Sequence, residues 1–261
     1  MLRKLLRHEL YATGKTLLPI YGITILLSLL NRLVTNIDIF NGPMEIIPAF
    51  MQIAYGISIV ATIIVTVIII VLRFYKNLMT DEGYLMFTLP VKAYQLINSK
   101  LISSIIWTII SVITVILSLL ILLANPERLE LLKESIDNIV YILKISFGEN
   151  YVLLTIELGI LLFISMIQQM LLIFVSIAVG HLFNGRKVLG SFAAYIGINT
   201  AVQIALTILM VIWSLIGGSS LEELGSIPQL LFPFTIIMGL TLSLLYYLVT
   251  NYIFSKKLNL E

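Results

Sequence analysis

Apolar residues run together in six stretches, near residues 17–33, 53–72, 101–124, 151–183, 192–216 and 230–254, and none carries a charge at its centre. A bilayer core of roughly 30 Å is crossed by a helix of about 20 apolar residues. The pattern therefore predicts an all-α integral membrane fold of six transmembrane helices. The fourth stretch is long for one crossing, which implies tilt or projection beyond the bilayer. Six crossings put both termini on one side.

The polar segments between the spans carry patterns of their own. Residues 2–14 predict an N-terminal amphipathic helix, with Leu2, Leu5, Leu6 and Leu10 on one face and Arg3, Lys4 and Arg7 opposite. Such a helix lies in the headgroup layer. It reads as a retained element leading into the first span, because no small-residue cleavage site follows. Residues 125–146 predict a second amphipathic helix. Asn125 is its N-cap, Pro126 its first residue, and Leu129, Leu132, Ile136, Ile139 and Leu143 recur at helical steps. Before the sixth span, IGGSSLEELGSIPQLLFPF is rich in glycine and contains Pro228 and Pro233. That composition allows a re-entrant segment, or equally a plain loop with a late-starting span.

Composition agrees with the pattern. The 261 residues are 59% hydrophobic and 11% charged, with a mean hydropathy of +1.06. Soluble domains carry about 25% charged residues, so this chain has too little charge to coat a water-facing surface. A net charge of +2 gives no reason to expect nucleic acid as a partner. The placement of charge is more informative than its sum. Arg3, Lys4, Arg7, Lys15, Arg73, Lys76, Lys92, Lys100, Arg186, Lys187, Lys256 and Lys257 all fall on the side of the termini. The opposite loops carry acids, among them Asp38, Glu45, Glu127, Glu130, Glu134, Asp137, Glu149, Glu222 and Glu223. By the positive-inside rule both termini are expected in the cytoplasm. The chain reads as one transmembrane domain over 1–261.

Candidate chemistry is sparse. There is no cysteine, and the two histidines, His8 and His181, lie far apart. No HExxH, no GxxxxGK[ST] phosphate loop and no serine with a plausible histidine partner occurs. The expectation is a chain that is not an enzyme and holds no metal or cofactor of its own. Within the spans, Gln168, Gln169, Asn199 and Gln203 are the amides that need a reason, together with Glu157 near the outer end of the fourth. They serve either as interhelical hydrogen-bonding groups or as the lining of a translocation path. Ala193, Gly197, Ala201 and Ala205 form a small-residue stripe that lets another helix approach closely, within the subunit or between two.

The segment between the second and third spans, RFYKNLMTDEGYLMFTLPVKAYQLINSK, is long for a connector. Phe74 and Tyr75 suit the headgroup interface, and Lys92 and Lys100 suit the membrane edge. Thr80 is placed to cap a short helix whose first turn holds Asp81 and Glu82, and Pro90 ends it. Between them Tyr84, Leu85, Met86, Phe87 and Leu89 either rest on the membrane or form a docking plug, since aromatic anchors ringed by polar groups carry small interfaces.

The run YKNLMTDEGYLMFTLP with LINSKL resembles ATP-binding-cassette (ABC) transporter permeases of the type-2 exporter class, as found in Gram-positive bacteria. The motif covers about a tenth of the chain, and the layout of the rest is similar. The resemblance implies a cytoplasmic coupling helix docked on a separate ABC ATP-binding subunit. That partner would bind ATP and Mg, and a second permease copy or homologous sibling would complete the membrane part. Carried onto this chain, the coupling element is Asp81, Glu82, Gly83, Tyr84, Leu85, Phe87, Leu89 and Pro90. The family's pairing through its first and fifth spans would occupy the small-residue stripe. The expected location is the bacterial cytoplasmic membrane, among membrane lipids, with an amphipathic or hydrophobic substrate. The alternative is a non-transporting membrane sensor or scaffold that recruits a cytoplasmic partner through the 73–100 loop.

Overall fold

The computed structural model describes residues 2–35, 46–79, 92–183, 187–217 and 228–256. Seven α-helices are found among them: α1 Leu2–Thr35, α2 Ile46–Met79, α3 Ala93–Leu123, α4 Pro126–Phe147, α5 Tyr151–Gly180, α6 Lys187–Gly217 and α7 Pro228–Lys256. A 3-10 turn, Gly148–Asn150, joins α4 to α5. All except α4 contain a stretch long and apolar enough to cross a membrane. The chain is thus an all-α, multi-pass membrane protein with six long apolar helices, as the hydrophobic pattern predicts.

The helices outrun the apolar stretches. No break separates the amphipathic N-terminal segment from the first span, and both belong to α1. Leu2, Leu5, Leu6 and Leu10 are half-buried while Arg3, Lys4, Arg7 and His8 are exposed, so the amphipathic face is real but continuous with the span. Pro19 lies inside α1 without ending it, as proline often does in membrane helices. The second amphipathic helix is present as α4, starting at Pro126. The coupling element between spans two and three lies outside the described residues, as do residues 218–227 of the re-entrant candidate, Arg186 and Lys257; Pro228 opens α7 and Pro233 lies inside it.

Two compact units divide the chain, one of residues 1–73 with 102–143, the other of 74–101 with 144–261. In the first unit the inward stripe of α1 runs Glu9, Thr13, Leu17, Tyr21, Thr24, Ser28, Asn31, at steps of four and three. Most of these side chains are polar. Their outward neighbours Leu18, Ile23, Leu26 and Leu30 are exposed. In lipid no hydrophobic force separates apolar groups from the surroundings, so small and polar residues face inward and aliphatic ones face the tails. Gly14 gives Trp107 its space, because a Cβ there would meet the indole ring.

In the second unit α5 packs against both α6 and α7. The α5–α6 turn depends on Gly180, where any Cβ would overlap the backbone of Ser191. Gly190 closes the same approach, since a Cβ there would crowd the Gly180 carbonyl and Phe183. The aromatic core of this unit is Phe74, Phe174 and Phe254. Phe74 is therefore not an interfacial residue as its sequence context suggests. It is 1% exposed, because two other rings are presented to it at the end of α2.

Candidate functional site

Three hydrogen-bonded layers define a polar seam in the first unit. The Tyr21 hydroxyl meets Thr66 Oγ1 at 3.0 Å and donates to the Trp107 carbonyl at 3.3 Å. One turn further on, Thr24 Oγ1 and Thr62 Oγ1 lie 2.6 Å apart. Tyr55 and Ser118 bond at 2.9 Å. These pairs run α1 antiparallel to α2 and parallel to α3. With 3.6 residues per turn, the register puts Ser28 level with Ser58 and Thr114, and Asn31 level with Tyr55 and Ser118. Most seam hydroxyls also donate to a carbonyl three or four residues back, as Ser28, Thr62, Ser111 and Thr114 do. Polar groups in lipid need such partners.

Asn31 departs from that rule. It is fully buried, and neither amide atom has a hydrogen-bond partner among the described residues. In the sequence Asn31 falls within the first apolar stretch, 17–33, with nothing to single it out. The signal that would have found it is the three-and-four spacing of Tyr, Thr, Ser and Asn along α1, since hydropathy alone treats hydroxyls as neutral.

At the other end of the seam Arg73 Nη2 lies 3.4 Å from Glu9 Oε2, with Glu9 almost wholly buried. This ion pair fastens the N-terminal part of α1 to the end of α2. Lys100, expected at the membrane edge, is 4% exposed and engaged by neighbours. The LINSKL run is mostly interior: Leu96, Ile97 and Ser99 are buried, and Asn98 lies near Tyr247 of α7.

The four intramembrane amides are placed differently from one another. Gln168 and Asn199 are half-buried, whereas Gln169 and Gln203 are exposed. Among the described residues no hydrogen bond joins them. Ala193, Gly197, Ala201 and Ala205 are all exposed, and no described residue lies within 4 Å of the position a Gly197 Cβ would take. That stripe makes no packing seam with this chain's own described helices. Asp81, Glu82, Gly83, Tyr84, Leu85, Phe87, Leu89 and Pro90 lie outside the described residues.

A pocket of about 220 Å³ opens among α5, α6 and α7, and Gln168 lines it. Its floor includes Gly239, where a Cβ would contact Ile164 and the Gln168 side-chain oxygen. Among the described residues no group of acids and histidines could hold a metal ion.

No protein-family model, curated protein or solved structure matches the chain. Fold and site together define a class, an all-helical six-span membrane protein with a polar interior.

Proposed function

We propose that this chain is the transmembrane permease subunit of an ATP-driven ABC exporter of the type-2 class. It would act as one transmembrane domain of the bacterial cytoplasmic membrane, with both termini cytoplasmic. The reading is carried by one observation, the EGYL…TLP…SKL pattern between the second and third of six spans. Two structural features support it. The helix entering that segment ends on the Phe74–Phe174–Phe254 cluster. The helix leaving it is held by buried Leu96, Ile97 and Ser99. A docking element transmits force only if its flanks are fixed to packed helices, and both flanks belong to the second unit.

In this reading the chain hydrolyses nothing. A partner ATPase binds ATP and Mg, docks Tyr84, Phe87 and their neighbours, and drives alternating access. A second copy or a sibling permease covers the small-residue stripe of α6. The cargo is amphipathic or hydrophobic. The test is co-purification of the chain with its cognate ATPase, comparing the native sequence with Tyr84→Ala/Phe87→Ala. Loss of association and of coupled ATP hydrolysis is expected. Unchanged association, with native helicity retained, overturns the coupling assignment.

A further inference from the structure

One face of α5 presents Glu157, Leu161, Ile164 and Gln168 at steps of four, three and four, which places all of them on one stripe of the helix. Leu161, Ile164 and Gln168 line the pocket, with Met210 of α6 and Phe234 and Gly239 of α7. Two other polar lining groups are already satisfied. Ser165 donates to the Leu162 carbonyl at 2.8 Å and Thr235 to the Phe232 carbonyl at 2.9 Å. Gln168 has no hydrogen bond to any described residue, so its amide is the polar group left to the pocket.

Glu157 stands a turn above. Its Oε2 is sealed from solvent and has no hydrogen-bond partner among the described residues. The 30 residues of α5 make a rod of about 45 Å against a hydrocarbon core of roughly 30 Å. Centred, the rod overhangs by about 7 Å at each end, and Glu157 lies about 9 Å from its start. The carboxylate thus sits at the boundary of headgroups and tails, on the side opposite the termini, and Gln168 sits near mid-membrane. Glu157 as a whole is half-buried, but a carboxyl oxygen sealed without a partner is costly, and a cation drawn to the group relieves that cost.

The geometry points to a binding site for a cationic amphiphile, a single aliphatic chain with an ammonium head. The head pairs with Glu157, the chain fills the pocket between α5, α6 and α7, and a polar group along the chain bonds to Gln168. The pocket's size limits the occupant. Sites for drug-sized ligands span roughly 300–1,000 Å³, so about 220 Å³ takes one chain segment and rejects a bulky cargo. The inference deepens the permease reading by naming its cargo class, and rests on that reading for the word cargo. Binding itself is measured on this chain alone, so its failure and the failure of ATPase docking are separable.

The full chain in phosphatidylcholine nanodiscs is photolabelled with a diazirine-bearing dodecylamine and, in parallel, with the matched dodecanol. The amine is expected to label residues within 161–168 or 234–242, at least about tenfold more tightly than the alcohol, as a charge-assisted contact implies. Glu157→Gln removes that preference, and Gly239→Leu, which fills the floor, removes the labelling. Met210→Trp at the rim gives a second block if Gly239→Leu fails to fold, with helicity followed by circular dichroism. Equal labelling by amine and alcohol, or a preference that survives Glu157→Gln, overturns the cationic head. Labelling spread over all lipid-facing helices, or unchanged by a folded blocking variant, overturns the pocket.

Discussion

The ring of Phe74 lies flat on that of Phe174, centroids 3.8 Å apart and planes 9° apart, while Phe254 meets Phe74 edge-on at 5.9 Å and 87°. An edge-to-face pair at the Phe74–Phe254 distance adds about 0.5–1.5 kcal/mol beyond simple burial. The cluster joins the end of α2 to α5 and α7, at the point where the chain leaves for the segment carrying the family-like motif. Phe74→Ala should lower stability by about 3 kcal/mol, the lower end for deleting a buried aromatic ring, because lipid supplies no hydrophobic transfer term. Phe74→Leu should cost less than half as much. Unfolding midpoints in detergent check both, and a silent Phe74→Ala would remove the cluster as a fixed base.

Two glycines separate structural from intermolecular roles. Gly180→Ala forces a methyl into the Ser191 backbone and should destabilise the α5–α6 turn by at least about 2 kcal/mol, as overpacking does. No described residue lies within 4 Å of a Cβ added at Gly197, so Gly197→Leu should leave the folded monomer unaffected. If a second permease subunit covers the stripe, the same substitution lowers the dimeric fraction seen by cross-linking. A dimer insensitive to Gly197→Leu would place the subunit contact elsewhere.

The Glu9–Arg73 pair predicts a charge-swap rescue. Glu9→Gln removes the partner of a mostly buried guanidinium and should cost about 1–3 kcal/mol, below the roughly 3–5 kcal/mol of a sealed pair, since Arg73 keeps 23% of its side chain exposed. Arg73→Gln should cost a similar amount. The doubly swapped Glu9→Arg/Arg73→Glu chain should recover part of the loss, measured as thermal stability of the purified protein. Failure of the swap to recover anything would mean that other neighbours dominate the pair.

Asn31 and Thr24 make opposite predictions within one seam. Thr24→Val breaks the 2.6 Å bond to Thr62 and should destabilise by about 0.6–1.7 kcal/mol, the range for interhelical bonds in membranes. Asn31→Leu replaces an amide that has no partner among the described residues with an apolar group of similar size. It should be neutral or stabilising, because the desolvation cost disappears with the amide. A loss of more than about 1 kcal/mol would show that Asn31 holds a bound molecule such as water.

Span number and helical class were legible in the sequence because crossing a bilayer demands long apolar runs, and these survive any packing arrangement. The amphipathic helix α4 was legible as well, since Asn125, Pro126 and the spaced leucines are local signals. The polar seam was not. Thr24, Ser28, Thr62 and Ser118 look unremarkable within apolar runs, and only the way α1, α2 and α3 face one another makes them interior. Of the amides that stood out in the sequence, Gln169 and Gln203 are exposed and Gln168 and Asn199 half-buried, while Asn31 is fully buried.

By itself, then, the sequence determined that this chain crosses a membrane six times as helices, and it singled out the 73–100 segment by motif. Tertiary structure decided which residues of those helices become interior. It buried Phe74 and Lys100 where composition put them at the interface, and it gathered Gln168, Met210 and Gly239 around one pocket below Glu157. The reason is physical. Hydropathy reports the cost of leaving water, which every span residue shares, whereas packing in lipid is decided by contacts and hydrogen bonds between helices distant in the chain.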